Sequence, residues 1–114
     1  MSTLTSVNTA TSSNSARTIT VTATDQGLPT ALSFEASEYR RGATHLAAEI
    51  VRLAQRSTLL AKAERRQALA AAGMASVLLD RLGLPTPEAV AVGLARLDAA
   101  ETTGTSVTSW VRAV

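Results

Sequence analysis

The sequence contains no cysteine and only three aromatic residues, one each of Trp, Tyr and Phe. Without cysteine, neither a disulfide framework nor a thiolate metal site is possible, and a reducing cytoplasm is the expected compartment. With so few aromatic rings, the core has to be built from Leu, Ile, Val and Ala, which bury less apolar area per residue. A chain of 114 residues is expected to form one small domain.

The residue patterns of enzymes are also missing. The single histidine, His45, has no second histidine and no paired carboxylates near it in the sequence, so a general base or a metal site lacks its partners. There is no Gly-x-Ser-x-Gly elbow and no glycine-rich loop that would bind phosphate. The sequence therefore predicts a protein that is not an enzyme and uses no metal, cofactor or small-molecule substrate, with His45 as a surface or capping residue.

Residues 1–15 carry no charge and no apolar block. This composition matches neither a secretory signal nor a membrane span, which predicts a cytoplasmic protein without a membrane partner. Such a small, polar segment buries too little apolar surface to offset the entropy of ordering, so we expect a flexible arm. The alternative is that part of the arm, through Leu4 and Val7, adds a third strand to a sheet edge.

Two later segments alternate apolar and polar residues with the period of a β-strand. They span residues 16–24 and 28–36, and an Asp-Gln-Gly sequence between them is typical of a turn. The pattern therefore predicts an antiparallel β-hairpin with one apolar face. The predicted core residues of the hairpin are Ile19, Val21, Leu32 and Phe34.

Residues 43–72 repeat their apolar positions with the period of an α-helix. The apolar stripe consists of Leu46, Ile50, Leu53 and Leu60. An isolated hairpin is marginally stable in water, so this helix is expected to cover it. The predicted fold class is α+β: an antiparallel hairpin, or three strands with the arm, covered by one long helix and followed by shorter helices.

The remaining sequence predicts two shorter helices. Gly73 ends the long helix, and residues 75–82 form a short one. A Thr-Pro-Glu start opens the last helix over residues 87–100, which the Thr-Thr-Gly-Thr run at 102–105 is expected to end. Trp110 is expected to dock its ring on an apolar surface. The predicted organisation is a flexible arm (1–15), a hairpin-helix module with C-terminal helices (16–101) and a tail (102–114).

The side of the long helix opposite its apolar stripe is rich in arginine. Arginine engages phosphate bidentately, and neutralised phosphates release counterions, which favours nucleic-acid binding without sequence preference. The candidate nucleic-acid-binding residues are Arg40, Arg41, Arg52, Arg56, Lys62 and Arg66. The alternative is that this side is an ordinary solvated helix face. Both interpretations predict that Arg52, Arg56 and Arg66 face solvent.

Five stretches of the sequence resemble a known family. They are RTITVT (17–22), DQGLPTALSFE (25–35), YRRG (39–42), HLAAEIVRLA (45–54) and LGLPTPEA (82–89). In order and spacing they are similar to the YbaB/EbfC-like proteins, and most similar to the actinobacterial ESX (type VII) secretion-associated proteins of the EspD/EspH type. The matching segments, 17–66 and 82–89, cover about half of the chain.

The resemblance implies a homodimer and two possible roles. The first is a cytoplasmic, chaperone-like accessory protein of ESX secretion that binds or stabilises a partner protein, for which an exposed apolar or alanine-rich helix face suits a helical client. The second is a nucleoid-associated protein that binds double-stranded DNA without sequence preference.

Overall fold

A computed structural model of the protein describes the backbone of residues 8–113 and the side chains of residues 8–101. Within this range the elements in chain order are β1 (Thr9–Ser13), β2 (Ile19–Thr24), β3 (Pro29–Phe34), α1 (Ala36–Arg40), α2 (Ala43–Ala71), α3 (Ser76–Arg81) and α4 (Pro87–Ala113). The strands form one antiparallel sheet in the order β1-β2-β3. The predicted α+β class, with one long helix on a sheet, is confirmed.

The third strand, which the sequence left as an alternative, is present as β1. It pairs with β2 so that Ser12 lies opposite Val21, and Ser12 is buried on the same face. Residues 9–13 are therefore a sheet strand rather than part of a flexible arm. The prediction for Leu4 and Val7 falls outside the described residues.

The turn between β1 and β2 is closed by an asparagine side chain. Oδ1 of Asn14 accepts hydrogen bonds from the backbone N–H groups of Thr18 (2.8 Å) and Ile19 (3.0 Å). Arg17 within this turn has a positive φ of 60°. Because these residues form the turn, β2 begins at Ile19, three residues later than the alternation predicts.

The core lies where α2 packs across β1 and β2. Its buried cluster consists of Ile19, Val21, Leu46 and Leu53, all of them predicted. Ile50 packs against this cluster while half-buried, and Leu60 is also half-buried. In the same layer the buried Ser57 hydroxyl donates to the Val21 carbonyl (2.9 Å), so its polar group is satisfied.

The two predicted core residues of β3 are not covered. Leu32 lies opposite Val21 and Phe34 opposite Ile19, so both side chains are on the sheet face that α2 packs against. However, α2 covers the other two strands, and Leu32 and Phe34 remain 48% and 41% exposed. The prediction that they are buried is wrong, because strand alternation determines the face of a residue but not how far a helix extends across that face.

A short helix, α1, which the sequence did not predict, connects the sheet to α2. The predicted second strand extended to Ala36, which is the first residue of this helix. Glu38 of α1 is buried and accepts a hydrogen bond from the Thr18 hydroxyl (2.6 Å), which ties α1 to the start of β2. His45, at the start of α2, lies beside it, with Nε2 3.8 Å from Glu38 Oε1. Gly42 adopts a φ of 115° between the two helices, a conformation that favours glycine.

The last helix is longer than predicted. The helical backbone of α4 continues from Pro87 to Ala113, through the Thr-Thr-Gly-Thr run that was expected to end it near Ala100. Threonine and glycine weaken a helix by about 1 kcal/mol or less per residue, whereas proline, which stops a helix, does not occur in this run. The prediction for the Trp110 side chain falls outside the described side chains.

Candidate protein-binding groove

Arg52 is buried rather than turned to solvent, with 7% of its surface exposed. Its Nε and Nη2 donate to the two carboxylate oxygens of Glu49 at 3.1 and 3.0 Å, and its Nη1 donates to the Leu97 carbonyl of α4 at 3.2 Å. Glu101, also on α4, lies 3.4 Å from Nη2. The prediction of a solvent-facing Arg52 is wrong because α4 packs along this side of α2.

The charge of Arg52 is stabilised by its surroundings. Burial acts to lower the pKa of Arg52, but the hydrogen bond to Glu49 and the negative charges of Glu49, Glu101 and Asp98 outweigh it and raise the pKa above its ordinary value. The guanidinium therefore stays protonated and acts as a permanent charged link between α2 and α4.

Two further arginines of the predicted cationic face also bind within the chain. Arg56 Nε donates to Asp98 Oδ1 on α4 (2.8 Å), and its Nη1 donates to the Ser12 hydroxyl of β1 (3.4 Å). Arg66 Nη1 donates to Asp80 Oδ1 of α3 (2.8 Å) and to the Leu84 carbonyl (2.6 Å). Both side chains are half-buried, so these arginines attach neighbouring elements to α2 instead of facing solvent.

The other three candidate nucleic-acid-binding residues do not lie together. Arg40 and Arg41 are exposed at the end of α1, where Arg41 is 3.4 Å from Glu38. Lys62 is half-buried on α2, about 30 Å along the helix axis from Gly42. The six predicted residues therefore do not form one basic patch.

A groove that sequence reasoning missed runs between α2 and α4. Its cavity volume is about 480 Å³. Its apolar lining comes from Val51, Ala54, Leu59 and Leu97. Val51 is 55% exposed, so the apolar surface is open to an incoming partner.

A glycine lies where α4 contacts α2 in the groove. A Cβ atom at Gly93 of α4 would lie 2.7 Å from Leu59 Cδ2, so the absence of a side chain lets α4 approach α2 closely there. A lone glycine within an apolar helix face is a sequence signal that could have indicated this close packing.

The charges on the groove are all of one sign. Lys62 of α2 and Arg96 of α4 line it together with the neutral Gln55 and Thr58, and its lining contains no acidic residue. An apolar floor with basic residues at its border suits a partner surface that is apolar at its centre and acidic at its edge.

Among the described residues, no group of three or more His, Asp or Glu side chains is placed to hold a metal ion. In the same part of the chain, no helix has the length and apolar character needed to cross a membrane.

Neither a protein-family model nor a curated protein nor a solved structure matches this chain. The resemblance to the YbaB/EbfC-like proteins therefore stays a hypothesis drawn from the sequence.

Proposed function

We propose that this protein is a non-enzymatic accessory protein that binds and stabilises a partner protein in the cytoplasm, in the manner of the ESX (type VII) secretion-associated proteins it resembles. The observation that carries the proposal is the open apolar groove between α2 and α4. The groove is where a partner would bury apolar surface, the main favourable term in protein association.

The shape and charge of the groove support an amphipathic helix as its partner. Between Val51 and Lys62 the groove follows α2 for about 16 Å, or three helical turns. A helix of that length presents apolar side chains at i, i+3, i+4 and i+7, which is enough to fill such a surface. Acidic residues beside these anchors would face Lys62 and Arg96.

A matched pair of exposed valines tests the proposal. Val51 lines the groove, whereas Val92, 60% exposed on α4, does not. In quantitative pull-downs from the native cell after nuclease treatment, Val51→Glu should reduce recovery of the partner at least tenfold, because it places a carboxylate in the apolar interface. Val92→Glu should leave recovery unchanged. Equal recovery with both variants would contradict the proposal.

Double-stranded DNA is the alternative partner, and the geometry favours it less. Arg52, Arg56 and Arg66 are engaged with groups of the chain itself, which leaves exposed Arg40 and Arg41 as its main support. If wild-type protein shifts duplex DNA at low salt and Arg40→Ala with Arg41→Ala abolishes the shift, DNA binding gains the stronger case. No shift at low salt would eliminate it.

We also propose a homodimer, formed at a surface other than the groove. Leu32 and Phe34 form an uncovered apolar strip on β3, and β3 is an edge strand of the sheet. An edge strand presents unpaired backbone groups that a second β3 satisfies by antiparallel pairing. Pairing of two copies in this way would also bring their apolar strips together.

A further inference from the structure

A second, polar pocket lies at one end of the groove. It has a cavity volume of about 280 Å³ and is lined by the β2–β3 turn (Asp25 and Gln26), by Lys62 and Arg65 of α2, and by residues 82–84 between α3 and α4. Lys62 also lines the groove, and Gly27, the neighbour of Gln26, does so as well. A polypeptide lying in the groove therefore reaches this pocket without leaving the surface.

The pocket contains a buried carboxylate that is only partly satisfied. The Asp25 side chain is 1% exposed, and its Oδ1 has no hydrogen-bond partner in the described part of the chain. Its Oδ2 accepts a hydrogen bond from Gln26 Nε2 at 3.3 Å and lies 3.6 Å from Arg65 Nε. Leaving a buried acceptor without a donor is unfavourable, more so for a charged group, so a ligand that supplies a donor to Oδ1 would be favoured.

The cations around Asp25 make few close polar contacts. Lys62 forms no ion pair or hydrogen bond with another described side chain, and Arg65, which is half-buried, contacts Asp25 at a distance longer than a hydrogen bond. Both cations are therefore available to an anion that enters the pocket.

We propose that this pocket binds the C-terminus of a polypeptide, with the terminal carboxylate on Lys62 and Arg65 and the last amide N–H donating to Asp25 Oδ1. This proposal rests on the proposed function, because the C-terminus in the pocket belongs to the partner bound in the groove. A peptide terminus combines an anion and an adjacent donor, the two groups that the pocket requires. The cavity is slightly smaller than the roughly 300–1,000 Å³ of typical small-molecule sites, which suits one terminal residue.

Other small ions fit the pocket less well. Phosphate pairs with Lys62 and Arg65, but it carries more negative charge beside Asp25 than a single carboxylate does, and it has no N–H donor. A simple amine satisfies Asp25 but is repelled by the two cations. A terminal carboxylate with its adjacent amide pairs with Lys62 and Arg65 and also donates a hydrogen bond to Asp25.

N-acetyl-leucine, which carries a carboxylate and an amide N–H, is a direct probe of this site. In a titration of 15N-labelled protein followed by amide chemical shifts, it should perturb residues 25–26 and 82–84 and bind at least about tenfold more tightly than N-acetyl-leucinamide, which lacks the charge. Equal binding of acid and amide, tighter binding of free leucine or of inorganic phosphate, or no binding of N-acetyl-leucine at tens of millimolar would each overturn the proposal.

Variants separate this site from the groove. Lys62→Gln should weaken N-acetyl-leucine binding at least about fivefold without unfolding the protein, whereas Arg81→Gln, which changes an exposed arginine outside the pocket, should not change it. Val51→Glu should leave N-acetyl-leucine binding intact. If partner recovery depends on Val51 while N-acetyl-leucine binding fails, the terminus proposal is wrong and the groove proposal stands.

Discussion

Arg52 connects two helices through charge rather than through apolar contact. Its guanidinium lies between Glu49 of α2 and Glu101 of α4 and also donates to a carbonyl of α4. Because the group is largely shielded from water, removing it leaves two carboxylates near each other in a partly buried site. Arg52 is therefore expected to contribute more to the stability of the fold than an arginine on an exposed, polar helix face does.

We predict that Arg52→Ala lowers the free energy of unfolding by about 2–3 kcal/mol, since breaking a buried pair leaves its partners uncompensated. Urea denaturation followed by circular dichroism measures the change. Arg81→Ala, at an exposed arginine of α3, should change the free energy by less than about 0.5 kcal/mol. Similar decreases in the free energy of unfolding for both variants would show that the buried ion pairs of Arg52 do not stabilise the fold.

The helical period identified the side of α2 on which Arg52, Arg56 and Arg66 lie, but not their partners on α3 and α4. Their acids, Asp80, Asp98 and Glu101, follow them by many residues in the sequence and come close only when α3 and α4 fold back onto α2. A single sequence carries no local signal for such pairing. An arginine-rich helix side therefore predicts exposed charge as readily as internal ion pairs.

At the scale of elements, α4 packs on α2 through small residues and ion pairs. Gly93 provides the close approach, and Leu59 lies against it. Both residues of this contact also line the groove. The spacing between α2 and α4 therefore depends on the size of the residue at position 93.

We predict that Gly93→Leu destabilises the protein by about 1–3 kcal/mol, because its side chain must displace Leu59 and push α4 outward. Urea denaturation provides the measurement. Ala95→Leu, at an exposed position of the same helix, should change stability by less than about 0.5 kcal/mol. If Gly93→Leu leaves the free energy of unfolding unchanged, the contact between Gly93 and Leu59 does not limit the approach of α4 to α2.

The elements most readable from the sequence were those with strong periodicity. Residues 43–72 predicted α2 to within one residue at its end, and the alternation around Val21 predicted β2 and its buried face. The short helix α1 was missed because five residues between a strand and a helix carry no periodic signal. The groove was not predictable, since it depends on the packing distance between two helices.

The whole molecule is elongated, with a radius of gyration of 16.4 Å, whereas a compact chain of this length has about 13 Å. Two long helices account for this shape, because α2 and α4 extend about 44 and 40 Å. The fully buried apolar core is correspondingly small and centred on Ile19, Val21 and Leu53. A molecule with this balance of surface and core gains stability when its open apolar surfaces are covered.

For the proposed homodimer, we predict a dimer mass in sedimentation equilibrium at tens of micromolar. Leu32→Asp should shift the protein to monomer, because it places a charge in the apolar strip of β3. Ser33→Asp, whose side chain alternates to the other face of the same strand, is the matched control and should retain the dimer. A monomer mass for wild-type protein would remove this proposal.

The proposed function requires that the groove between α2 and α4 holds a partner protein in the cell. A photo-crosslinking amino acid placed at position 55, where Gln55 lines the groove, tests it in the native cell. Position 92, an exposed residue of α4 that does not line the groove, is the reference. If the groove holds a partner, irradiation yields an adduct with one predominant polypeptide from position 55 and none from position 92. The absence of an adduct at position 55, or the same adducts from both positions, would contradict it.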